Sequence, residues 1–319
     1  MLQPLILALC AVLGLADGTT RQWLVDGVTR TAIVHAPAAK PEGGAPVIFV
    51  FHGHGGNSRN VERGFALHTL WPEAVVVYPQ GLPAKTGKDP EGALPGWQLS
   101  TRTGEDRDLK FFDAMLESLK KEGWVDPKRV YVTGHSNGGA FTYLLSGLRN
   151  DVLAAAAPSA GGTGQLGQLK PIPMLILGGS KDKIVPFEGQ ERMMRFMRRL
   201  NKCADAGTEW APGATQYASE IGAPVVTFIY DGGHEFTKDG PALIVKFFKE
   251  HARKTAAAEK PAAKPDAKTD AKTDAKTDAK PDAQPAPKTG TTPDTKPAPK
   301  TGTTPETKPA AKPAPAGTP

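Results

Sequence analysis

Cysteine is nearly absent: the 319 residues contain two, Cys10 and Cys203. Cys10 falls in an apolar leader-like stretch, so Cys203 is expected to be a lone thiol that serves packing rather than chemistry. A basic stripe is also missing. The net charge is +6 and the isoelectric point about 9.1, yet lysines alternate with acids along the whole chain. No nucleic-acid partner is therefore expected. The local cluster Arg195-Phe196-Met197-Arg198-Arg199 reads as the solvated face of a helix, with Met194, Phe196, Met197 and Leu200 on its packed side. Long apolar runs are lacking as well. Met1 to Ala16 is too short to span a bilayer comfortably, and Gly14 and Ala16 offer small residues for cleavage before Asp17. Residues 1–16 read as a signal peptide, although no Lys or Arg precedes the apolar run. The expected location is outside the cytoplasm, extracellular or periplasmic, with no integral membrane association.

From Lys254 onward the chain has no aromatic and no large aliphatic residue. Asp-Ala-Lys-Thr repeats from Asp266, and Lys-Thr-Gly-Thr-Thr-Pro occurs at Lys288 and again at Lys300. Such a segment has nothing with which to bury a core, so 254–319 is expected to be a disordered low-complexity tail that contacts a cell wall or polymer or is a passive extension. Residues 17–253 remain, ample for one hydrophobic core.

Within that part the most telling stretch is Arg129-Val130-Tyr131-Val132-Thr133 running into Gly134-His135-Ser136-Asn137-Gly138 and on to Ala140-Phe141-Thr142-Tyr143-Leu144-Leu145. It is a G-x-S-x-G pattern between an apolar strand and a helix. A sharp strand-to-helix turn lifts a serine hydroxyl clear of a sheet edge, and side chains at 134 and 138 would collide across it. Ser136 is the expected nucleophile. The Asn137 N–H then lies at a helix amino end, where unpaired donors favour the negative charge of an attacked carbonyl.

A hydroxyl attacks only if a base takes its proton and an acid orients that base. Val225 to Tyr230 reads as a late strand, and His234 in the loop beyond it is the expected base. Met174 to Gly178 is another strand, with Asp182 just past its end as the expected acid. Asp231 is the competitor for that role. His35 and His68 read as structural, and His251 as a cation at a helix carboxyl end.

A second oxyanion donor is expected after the apolar strand Val47 to Phe51, in His52-Gly53-His54-Gly55-Gly56. The backbone N–H of His54 is the first choice, with Gly53 or Gly55 close behind. His52 and His54 as metal ligands would need a carboxylate or cysteine cluster that the sequence does not place beside them. No metal and no cofactor are expected.

These pieces together with Asp108-Leu109-Lys110-Phe111, Asp126-Pro127, Val185-Pro186 and Gly232-Gly233-His234 resemble the secreted α/β-hydrolase esterases of the polyhydroxybutyrate depolymerase-like and feruloyl or acetylxylan esterase-like kind, over roughly residues 22–252. The resemblance implies a Ser136, Asp182 and His234 triad with Asn137 donating through its backbone. Two departures stand out. Glu235-Phe236-Thr237 replaces a common Trp-Pro-Gly after the histidine, and Asn201-Lys202-Cys203 resembles a piece whose cysteine is often disulfide-bonded in relatives.

The order of elements supports an α/β class. A hairpin through Asp26-Gly27, strands at 47–51 and 74–78, helices at 59–70 and 106–121, strand 129–133, helix 137–148 and strand 153–157 imply a mostly parallel, doubly wound sheet. Between Pro158 and Met174 there is too little chain for a helical lid, so an open cleft and a bulky or polymeric ester substrate are expected. Trp97, in the Gly/Pro-rich loop 80–104, is a candidate for stacking on an aromatic acid or sugar, or else a loop anchor. The expected function is a serine esterase acting on feruloyl or acetyl esters of polysaccharide or on hydroxyalkanoate polyesters. A serine peptidase or thioesterase, and a surface-binding protein with incidental hydrolysis, are the alternatives.

Overall fold

The computed structural model describes residues 18–101 and 104–253. The expected leader, with Cys10, and the expected tail lie outside the described residues. Ten strands form one sheet in the order β1-β2-β4-β3-β7-β8-β9-β12-β11-β10. The strands are β1 (Thr19–Val25), β2 (Val28–His35), β3 (Ala45–Phe51), β4 (Val75–Pro79), β7 (Val125–His135), β8 (Ala155–Ser159), β9 (Met174–Gly179), β10 (Thr208–Ala211), β11 (Ala214–Tyr217) and β12 (Val225–Tyr230). The six central strands from β4 to β12 run parallel, and an antiparallel pair closes each edge. The fold is α/β, a mostly parallel sheet covered on both faces.

The helices are α1 (Ser58–Phe65), α2 (Leu67–Leu70), α3 (Arg107–Lys121), α4 (Asn137–Leu148), α5 (Phe187–Leu200) and α6 (Gly240–Glu250). Every residue of β3 is buried, as suits a strand with helices on both faces. One core packs Phe49, Phe51, Phe112 and Phe141 on one side of the sheet, and a second packs Tyr78, Tyr131, Phe247 and Phe248 on the other. Parallel strands all end at the same edge, so the loops after β3, β7, β9 and β12 gather there.

Three differences from the sequence reading have physical causes. The helix expected over 59–70 is broken at Ala66, which adopts φ +45° and caps α1 through its own N–H. Asp126-Pro127 lies inside β7 rather than before it, at a register irregularity where proline's missing donor is tolerated. The hairpin β10–β11, turning at Gly213, carries too short an alternation to stand out. The loop 80–104 also holds a short pair, β5 (Leu82–Pro83) and β6 (Pro95–Gly96). Between β8 and β9 a single turn at Leu166–Gln168 takes the place of a lid.

Candidate active site

Ser136 sits between the end of β7 and the start of α4 with φ +58° and ψ −119°, a conformation that L-residues rarely adopt. Strain of this kind persists only where the surroundings enforce it. Close packing supplies the enforcement. A Cβ at Gly134 would come within 2.6 Å of the Gly138 carbonyl oxygen, and one at Gly138 would run into the carbonyl oxygens of Phe51, the last residue of β3, and of His52 just beyond it. The Ser136 N–H donates to Ser159 O at 2.9 Å, fastening the turn to β8.

His234 and Asp182 arrive from two neighbouring strands. Asp182 follows β9 and His234 follows β12, which pair in parallel. His234 Nε2 lies 2.8 Å from Ser136 Oγ, and His234 Nδ1 lies 2.8 Å from Asp182 Oδ2. The three side chains thus form one hydrogen-bonded line. Asp182 Oδ1 accepts the N–H groups of Ile184 and Val185, and Oδ2 also accepts Gln190 Nε2 at 2.9 Å. Burial opposes the charge on Asp182, but the bonds from His234, Val185 and Ile184 outweigh it and hold the carboxyl below its usual range. Asp231 lies apart from this line: it is exposed and paired with Lys181 at 2.7 Å.

The loop after β3 passes directly against the serine, since a Cβ at Gly53 would be 3.4 Å from Ser136 Cβ. The Gly55 N–H donates to Pro95 O and the Gly56 N–H to Gly53 O. Gly55 is therefore not available as an oxyanion donor. The N–H groups of Gly53, His54 and Asn137 enter no backbone hydrogen bond among the described residues. The His52 ring is buried, with Nδ1 on Gly53 O and Nε2 accepting the Gly81 N–H, and burial pushes its pKa down. His54 Nε2 meets Asp89 Oδ2 at 3.0 Å, and Asp89 in turn accepts the N–H groups of Gly92, Ala93 and Leu94. Both rings are thereby tied into loop structure.

Trp97 does not stack on anything that enters from solvent. Only 1% of it is exposed; its ring lies against Phe141 and its Nε1–H donates to His52 O at 2.9 Å. The indole has no open face, and Trp97 is an anchor of the loop. The Asn137 side chain grips the same residue from both directions, its Oδ1 accepting the Trp97 N–H and its Nδ2 donating to Trp97 O.

Other supporting residues carried little or no signal in the sequence. Gln190 lies on α5, an otherwise polar-looking helix, yet it is buried and bridges Asp182 to Val185 O. His135 precedes the serine; its Nε2–H donates to His234 O at 2.7 Å while Nδ1 accepts from Ser159 Oγ. Burial and the neighbouring His234 push the His135 pKa down to about 4, so the ring is neutral and its tautomer is set by these partners. Glu235 folds back on the Gly233 N–H, and Phe236 stacks on Phe65 at 3.8 Å, which explains how this loop is fixed without Trp-Pro-Gly. Cys203 is a free, half-buried thiol whose pKa burial raises.

Residues 33–215 match the sequence profile of the dienelactone hydrolase family. The chain belongs to that family. Ser136 and Asp182 fall within the matched span and His234 beyond it. NocK of Nocardia uniformis subsp. tsuyamanensis is 32% identical over 187 residues, covering 54% of this chain and about half, 52%, of its own length. Feruloyl esterase C of Emericella nidulans is 28% identical over 203 residues, 59% of this chain and 70% of its own. Among solved structures, acetyl xylan esterase from Aspergillus awamori superposes with a TM-score of 0.58 over 73% of this chain and 99% of that one, at 14% identity. A thermostable esterase superposes with a TM-score of 0.52, at 19% identity, over 75% of this chain and 64% of that one. These likenesses are of fold, that of the α/β-hydrolases. No helix among the described residues is long and apolar enough to cross a membrane.

Proposed function

We propose that the protein is a secreted serine esterase that cleaves carboxylic esters borne by polysaccharide, with feruloyl and acetyl esters as the first candidates and hydroxyalkanoate polyesters as the next. The observation that carries this reading is the unbroken line Ser136 Oγ, His234, Asp182, with both contacts at 2.8 Å. A serine paired to an imidazole that is itself oriented by a buried carboxylate is the arrangement that turns a weak hydroxyl into a nucleophile. Relatives named feruloyl esterase and acetylxylan esterase support the choice of ester. The absence of a lid segment between β8 and β9 among the described residues suits a polymer-borne group.

In this mechanism Ser136 Oγ attacks the ester carbonyl as His234 Nε2 takes its proton. The developing oxyanion is met by the N–H groups of Asn137 and His54. Protonated His234 returns the proton to the leaving alkoxide, and a water molecule then repeats the sequence on the acyl-enzyme. Asp182 stays ionised throughout and holds the tautomer that leaves Nε2 free to accept. Residues 17–253 constitute the catalytic domain on this reading, residues 1–16 its export signal and residues 254–319 a spacer.

Two measurements test it. A fluorophosphonate probe is expected to label the wild type and not Ser136→Ala. The same variant is expected to lose on the order of 10⁴-fold or more in kcat on methyl ferulate, acetylated xylan or short p-nitrophenyl esters, with an unchanged melting curve. Near-normal turnover by Ser136→Ala would remove Ser136 from the role, and preference for a peptide amide would move the protein to the peptidases.

A further inference from the structure

Helix α5 turns Met193, Met194 and Met197 into the core and leaves Arg192, Arg195 and Arg199 exposed. At i, i+3 and i+7 these three lie on one stripe about 10 Å long. They border a groove of about 450 Å³ between α5 and the segment that follows β8. The groove is apolar between its charges, with Phe196 on the helix side and Leu166, 40% exposed, across from it. Its far wall includes Gly161 and Gly162, which present backbone only and add no cation.

The head of this groove is built from the active site's own supports. Val185 and Pro186 line it, and Val185 donates its N–H to Asp182 Oδ1 while accepting Gln190 Nε2. Gly161 comes two residues after Ser159, whose carbonyl holds the Ser136 N–H. The groove therefore leaves the same sheet edge that carries the serine. Of its arginines, Arg195 is paired with Glu191 at 2.9 Å, and Glu188 is exposed in the first turn of α5. Arg192 and Arg199 make no ion pair among the described residues.

An apolar floor edged on one side by guanidinium forks suits a chain of sugar rings that carry carboxylates. Ring faces cover the apolar strip, and Arg pairs with carboxylate in a bidentate fork that a neutral sugar cannot offer. A nucleic acid is less well matched, because its two-sided phosphate charge would meet a cation-free wall. We infer that this groove is a subsite for anionic polysaccharide, holding uronate-bearing sugar beyond the ester that is cleaved. The inference deepens the esterase reading of Ser136 and rests on it.

Affinity electrophoresis of the full chain through gels containing unesterified polygalacturonate, dextran or single-stranded DNA reads binding whether or not the protein turns over. Inhibition of p-nitrophenyl acetate hydrolysis by the same polymers reads the link to the site. Polygalacturonate is expected to retard the wild type and raise its apparent KM several-fold, and dextran to do neither. In Arg192→Gln/Arg199→Gln both effects weaken about tenfold, and Arg192→Gln alone falls between. Salt near 0.5 M is expected to remove them, because exposed charges are screened at that strength. Absence of retardation, equal retardation of the variant, or stronger retardation by DNA would overturn the subsite. Retardation without any ester hydrolysis would instead overturn the esterase reading and leave a polyuronate-binding groove.

Discussion

Two histidine–carboxylate pairs in this molecule have nearly the same geometry and entirely different surroundings. His234 meets Asp182 at 2.8 Å beyond the carboxyl ends of β9 and β12, and His35 meets Glu62 at 2.7 Å between β2 and α1. In the first, the other ring nitrogen faces the hydroxyl of a strained serine at 2.8 Å. The second has its imidazole stacked at 3.7 Å on His68, whose Nδ1 lies 2.9 Å from the Tyr78 hydroxyl. Glu62 Oε2 accepts from Arg59, so its charge is answered from both sides. A short His–carboxylate contact is thus no mark of an active site by itself. What distinguishes the first pair is the strained serine whose hydroxyl stands at its far nitrogen.

The same exchange of carboxylate for carboxamide at both pairs breaks the comparison open. Asp182→Asn is expected to lower kcat by roughly 10³- to 10⁴-fold, because an amide can donate to His234 Nδ1 and drive the proton onto Nε2, where it blocks transfer from the serine. Asp231→Asn, at an exposed pair with Lys181, is expected to stay within about threefold. Steady-state kinetics of the two purified variants decide between them. A larger loss at Asp231 would transfer the orienting role to it.

Much of this site was legible in the sequence because its geometry depends on small residues and strand ends. Gly134 and Gly138, which frame Ser136, stand out since no side chain fits at either where the turn meets β3. Asp182 and His234 follow strands whose apolar runs are short and clean. Gln190 and His135 could not be read in the same way, because one looks like any polar residue on a polar helix and the other is a variable position of the motif. The sequence leaves Trp97 open between stacking and anchoring for a related reason. An aromatic in a Gly/Pro-rich loop has the same sequence signature whether it faces solvent or, as here, lies beneath the loop on Phe51 and Phe141. The break falls on Ala66 itself, a residue that ordinarily continues a helix, rather than on the nearby Gly64.

His135 sharpens the contrast from a third direction, since it is a histidine with both nitrogens engaged and no carboxylate partner. Its folded pKa of about 4 lies below the ordinary value near 6.5, so the unfolded chain binds a proton that the folded one does not between those limits. Folding stability attributable to this ring is therefore intact above about pH 6.5 and is lost as pH falls toward 4. Between pH 6.5 and 5 the loss is up to about 2 kcal/mol. His135→Gln is expected to flatten the acid limb of a denaturation series by about that amount, while weakening the hold on the His234 backbone. An acid limb identical in the two proteins would assign the sensitivity to His52, His68 or His251, whose pKa values burial also lowers.

Glu62→Gln should have the smallest effect and carries the comparison to its end. The amide oxygen still accepts from His35 Nε2, so the hydrogen bond survives and only the charge is lost. With Glu62 buried at 6% exposure, loss of charge assistance from the His35 bond and of the Arg59 pair is expected to cost on the order of 1 kcal/mol of stability. Ester turnover is expected to stay within about threefold of wild type, because among the described residues no hydroxyl is hydrogen-bonded to the far nitrogen of His35. Denaturant unfolding read beside kinetics on one short ester checks both halves. A loss in kcat approaching that of Asp182→Asn would mean that the two pairs communicate, and that the orientation of α1, through Phe65 stacked on Phe236 in the histidine loop, reaches the reacting atoms.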